Sequence, residues 1–149
     1  MFRLVTLMIL GTAAAIAGCD RDPMSETGFR LPDGDPVAGR KAFIYMQCNQ
    51  CHTVAGEDLP EALLAGPPYV ELGGPVSRVK TYGQLVTAIV NPSHELAPGY
   101  AEELVSEDGE SKMYNYNRFM TVQELTDVVR FLQPHYDVVV PNYTYRVYQ

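Results

Sequence analysis

Cys48-Asn49-Gln50-Cys51-His52 is the stretch on which the fold turns. Its two thiols lie three residues apart, close to one helical turn, so both can face the same way. Each can add to one vinyl group of a haem, and the imidazole of the next residue can then meet the iron from one side. Two other chemistries use Cys-x-x-Cys. A structural zinc site needs four ligands, usually with a second Cys or His pair. Beyond His52 the chain holds only His94 and His135, 41 residues apart. A redox dithiol sits between a strand and a helix, whereas a helical pattern precedes this motif and a loop follows it. One covalently attached haem c is therefore the expected cofactor.

Outward from the motif, the chain reads as helices. Asp35-Pro36 is a helix start, with Asp as N-cap and Pro at the first helical position. Residues 37–47 can continue it into the motif, and Gly39 and Phe43 fall four apart on one face. Thr81 can cap a middle helix in which Tyr82, Leu85, Val86 and Ile89 recur at helical spacing, and Pro92 stops it after Asn91. Thr121-Val122-Gln123-Glu124 is a capping box, and Met120 can staple onto Leu125. Val122, Leu125, Val128, Val129 and Leu132 form one apolar stripe, with Pro134 just past its end. The pattern predicts an all-α domain over residues 36–133 built on three main helices.

The chain is 149 residues long, 46% hydrophobic and 19% charged, enough for one domain with a real core and no disulfide framework. Its net charge of −7 and pI near 4.8 leave no basic stripe to neutralise phosphates, which argues against nucleic acid as a partner. Residues 1–18 have the proportions of a secretory signal: Arg3 near the start, then an uncharged apolar run over residues 4–17. That run is shorter than the roughly 20 residues that cross a bilayer core. Ile16-Ala17-Gly18-Cys19 resembles a bacterial lipoprotein box, which implies a mature chain that begins at a lipidated Cys19. An ordinary signal peptide or an uncleaved anchor would leave Cys19 incidental. Lipidation implies the periplasmic side of a bacterial membrane, tethered without spanning it, and Asp20 after the Cys favours the inner membrane. Residues 19–35 then form the lipidated Cys and a polar tether that reaches up to roughly 50 Å when extended. All three Cys are thereby used, one by lipid and two by haem, which suits an oxidising compartment.

Over residues 36–133 the chain resembles the class I c-type cytochromes, specifically the bacterial single-haem ones. The N-terminal helix of that family carries a Gly four residues before an aromatic, matched by Gly39 and Phe43, and the aromatic of its C-terminal helix is matched by Phe131. The resemblance implies a cytochrome c-like fold wrapped around one haem, with Cys48 and Cys51 attached to it and His52 on the iron. Gly66-Pro67 looks like the family's Gly-Pro, whose Pro carbonyl accepts the Nδ1–H of the axial histidine; a plain turn is the alternative for Pro67. For the sixth iron ligand the resemblance implies Met113, in the polar loop eight residues before Thr121, although Tyr114 stands where the family usually has Pro. Met120 and His94 are the alternatives. Met24 belongs to the tether, and Met46 lies on the attachment side. A thioether ligand favours Fe(II) and raises the potential relative to two imidazoles.

Glu102, Glu103, Glu107, Asp108 and Glu110 cluster just before Met113. This run can steer a redox partner with a basic patch, or simply be a solvated loop. The extension over residues 134–149 is too apolar and aromatic for a free tail, and can run over the domain or bind a neighbouring subunit. The expected function is that of a lipid-anchored one-electron carrier between redox proteins, not an enzyme. The alternatives are a haem subunit of a larger periplasmic dehydrogenase or oxidase, a haem gas sensor with an open sixth position, and a haem-free thiol-disulfide protein.

Overall fold

In a computed structural model, which describes residues 29–63, 70–78 and 80–139, the Asp35-Pro36 start is a capped helix N-terminus. The Asp35 carboxylate accepts from the backbone N–H of Val37 and Ala38 at 2.8 Å, two donors that the helix itself cannot satisfy. Helix α1 (Pro36–Tyr45) follows. It stops two residues short of the expected Gln47, because Gln47 adopts a left-handed conformation (φ 60°) that turns the chain into a 3-10 turn at Cys48–Gln50. The chain divides into two units, Met1–Arg30 and Leu31–Gln149. The expected signal, Cys19 and Met24 lie outside the described residues, and every described helix and strand belongs to the second unit.

The other two long helices are α2 (Tyr82–Val90) and, after the single turn α3 (Glu102–Val105), α4 (Val122–Leu132). Thr81 and Thr121 cap α2 and α4, each with a complete capping box, through Gln84 and Glu124 respectively. The most extensive helix contact is α1 on α4. Gly39 makes that crossing possible: a Cβ there would overlap the backbone carbonyl of Asp127 and sit 2.9 Å from the Cβ of Phe131. With the backbones this close, Phe43 meets Phe131 edge-on, ring centroids 5.8 Å apart. Asp127, buried on α4, accepts from the backbone N–H of Asp35 at 2.8 Å and so pins the start of α1 to α4.

Leu125, Val128, Val129 and Leu132 are buried, as the apolar stripe predicts, and Phe131 joins them. Val122 is not: it is 56% exposed. Although it shares their face, it lies in the first turn of α4, and the α1 start packs one turn further along, with Gly34 against Thr126 and Gly39 against Asp127. Leu85 and Ile89 of α2 complete this core with Phe43 and Val54.

Strands qualify the all-α expectation. Three short pairs occur among the described residues: β1 (His52–Val54) parallel to β2 (Val70–Leu72), β3 (Gly74–Val76) parallel to β6 (Tyr136–Val138), and β4 (Ser106–Glu107) antiparallel to β5 (Glu110–Ser111). At two or three residues each they are too short to show a periodicity in sequence, and they act as ties between loops. β6 shows that the start of the extension runs over its own domain; residues 140–149 lie outside the described part.

Candidate cofactor site

A cavity of about 700 Å³ opens between the helices. Its wall is mostly apolar: Leu85 and Ile89 of α2, Val128 and Leu132 of α4, Phe43 of α1, and Val105. Cys48, Cys51 and His52 line it as well. Met113, Met120 and His94 also line it, so all three candidates for a sixth ligand share one chamber with His52, whereas Met46 is not part of the wall.

The motif is aimed by the turn that ends α1. The left-handed Gln47 and the following 3-10 turn leave Cys48 half-buried and Cys51 exposed. The intervening residues are structural, which the x-x notation conceals. Asn49 and Gln50 are buried; Asn49 Nδ2 donates to the Pro60 carbonyl at 3.1 Å, and Gln50 Oε1 accepts from the Leu63 N–H at 2.7 Å. They hold the loop after the motif against the attachment turn.

His52 opens β1, in register with Val70 of β2. Its Nδ1 lies 3.1 Å from the Val70 carbonyl. A carbonyl only accepts, so Nδ1 carries the hydrogen, and the Nε2 lone pair is left available to a metal. The Val70 N–H donates to the Cys51 carbonyl at 2.9 Å, so the strand that orients the imidazole is itself tied to the motif. Pro67, expected to supply the accepting carbonyl, lies outside the described residues; the carbonyl found at His52 is that of Val70. Strand pairing of residues 52 and 70 has no local sequence signal, so the motif alone did not reveal it. Burial holds the His52 pKa below its ordinary 6.5, partly offset by the Val70 bond, and so favours the neutral, ligating form.

The competing chemistries fit less well. Burial pushes the Cys48 thiol up to about 11, the opposite of the lowered pKa that activates a redox dithiol. Among the described residues no group of three or more His, Cys, Asp or Glu is arranged to hold a metal ion, as a zinc site would require.

A family model described as Cytochrome c matches residues 36–135. The chain belongs to the cytochrome c family. Membership brings covalently bound haem c and haem-based electron transfer. No curated protein and no solved structure gave a significant match. The cavity of this cytochrome c suits the group: an apolar chamber lined by two cysteines, a neutral imidazole whose second nitrogen is free, and methionine side chains. Two further features of the cytochrome were not foreseen. Tyr116 lines the cavity, and its hydroxyl donates to the Met46 carbonyl at 2.7 Å, burial pushing that hydroxyl up to about 12. Arg40 Nε pairs with Glu57 at 3.0 Å, beside His135, whose Nδ1 meets the Ala55 carbonyl at 3.0 Å.

The acidic run occupies α3 and the β4–β5 hairpin, every one of its carboxylate residues exposed. Leu104, Val105, Ser111 and Lys112 of the same segment line the cavity, so the run borders the site.

Proposed function

We propose that this chain is a single-haem electron carrier held by lipid on the periplasmic side of a bacterial membrane, taking and giving one electron at a time. Bound haem c supplies the one-electron couple. Cys48 and Cys51 hold the group through thioethers, and their turn fixes its edge. His52 ligates the iron through Nε2, with Val70 setting the tautomer and the direction of the ring. Met113 would supply a sulfur ligand, which favours the reduced state. With His52 and Met113 both ligating, the iron would be closed to a substrate, and the chain would carry electrons and catalyse no reaction of its own. The single observation that carries this is the shared chamber: His52, oriented by a strand carbonyl, lines the same apolar cavity as Met113.

One Cys-x-x-Cys-His supports one haem per chain. The lipoprotein-like box at Cys19 supports the anchor, and Asp20 the inner membrane. The acidic border supports docking of a redox protein through a basic patch. Absorption spectra of the native protein, oxidised and reduced, together with its intact mass, test the whole. One covalent haem and a far-red iron–thioether band in the oxidised form are expected; a polypeptide with no added haem mass refutes it. The second reading, a haem subunit of a larger periplasmic dehydrogenase or oxidase, is favoured by exposed Val138 and Val139 of the C-terminal extension, 47% and 52% accessible. Size-exclusion of native material separates the two, since a stable hetero-complex marks the subunit.

A further inference from the structure

Tyr116, which lines the cavity, ties together two segments that are 70 residues apart in the chain. On one side its hydroxyl donates to the carbonyl of Met46, the C-cap of α1, at 2.7 Å. Carbonyls at a helix end lack partners within the helix, and this one immediately precedes the left-handed Gln47 from which Cys48 departs. On the other side the Tyr116 carbonyl receives the N–H of Phe119 at 2.8 Å and of Met120 at 2.9 Å, so the ring is rooted in a closed turn just after Met113. Tyr114 packs edge-on against it, ring centroids 5.0 Å apart.

The remaining ties of this loop lead elsewhere. Asn117 Nδ2 donates to the Val90 carbonyl at 2.8 Å, at the end of α2, and the Ser111 N–H donates to Ser93 Oγ at 3.1 Å. Among the described residues, the Tyr116 hydroxyl makes the hydrogen bond that joins residues 111–120 to the attachment turn. We propose that Tyr116 is a positioning residue: it latches the loop carrying Met113 to the haem-attachment segment and thereby keeps outside ligands from displacing the methionine. The inference rests on Met113 as the sixth ligand. Removing the hydroxyl leaves the ring in place but unties the loop from the attachment turn and orphans the Met46 carbonyl.

The test uses the haem-loaded protein. The oxidised form of the parent, Tyr116→Phe and Tyr45→Phe is titrated with imidazole while the iron–thioether band is followed. An apparent affinity scales with the fraction of molecules open to the ligand. One hydrogen bond of about 1 kcal/mol corresponds to about a fivefold rise in that fraction. Imidazole should therefore bind Tyr116→Phe about fivefold more tightly than the parent, and carbon monoxide should bind its reduced form faster. Tyr45, 81% exposed on α1, is the control for loss of a tyrosine hydroxyl, and its variant should match the parent. A general loss of stability lowers the urea midpoint without moving imidazole affinity in the absence of urea. Unchanged affinity in Tyr116→Phe, or an equal rise in Tyr45→Phe, overturns the latch while leaving the ligand assignment standing. Absence of the band from the parent overturns the Met113 assignment and the latch with it.

Discussion

Replacing Gly39 with Ala probes the helix crossing that shapes the cavity. On an exposed helix the change is favourable by about 1 kcal/mol, because Ala loses less backbone entropy than Gly. Here the added methyl would overlap the Asp127 carbonyl and come within 2.9 Å of the Phe131 Cβ. The main obstacle is backbone, so no side chain can swing aside, and α1 must lift from α4. Overpacking of this kind costs about 1–3 kcal/mol. Lifting also weakens the Phe43–Phe131 edge contact, worth about 0.5–1.5 kcal/mol beyond burial. Set against the helix-propensity gain, a net loss of about 2 kcal/mol is expected. For a domain of this size that lowers Tm by about 10 °C. Urea and thermal unfolding of the haem-loaded protein, followed by far-UV circular dichroism, read the change directly. Val37→Ala on the same helix is the comparison: Val37 is 63% exposed, and its replacement should be neutral or slightly stabilising. A Gly39→Ala protein as stable as Val37→Ala would mean that the two helices do not cross in contact at residue 39.

Met113→Ala should abolish the far-red band of the oxidised protein and lower its reduction potential, while Met120→Ala retains the band; the reverse pattern transfers the ligand role to Met120. With a net charge of −7 and acidic residues bordering the site, the reduced protein should pass electrons faster to a small cationic oxidant than to an anionic one, and salt should narrow the gap. Equal rates at low salt would remove the run from any steering role. Intact mass of the protein from the native host should show a chain that begins at Cys19 and carries added acyl mass; a chain that retains residues 1–18, or begins at another residue without acyl mass, refutes the lipid anchor.

Local chemistry explains what the sequence determined by itself. Caps, helix stops and the Cys-x-x-Cys-His spacing act over four or five residues. Asp35, Thr81 and Thr121 therefore marked three helix starts, and the family of the domain was legible from residues 48–52 with Gly39, Phe43 and Phe131. Only tertiary structure decided which carbonyl orients His52, because the pairing of residues 52 and 70 is set by two three-residue strands with no pattern of their own. It also decided that Val122 faces solvent, since burial depends on where α1 crosses α4 and not on helical phase. The bond from Tyr116 to Met46 belongs to the same class. A tyrosine in a polar loop has many possible partners, and the fold alone brings a helix-end carbonyl 70 residues away to within 2.7 Å of its hydroxyl.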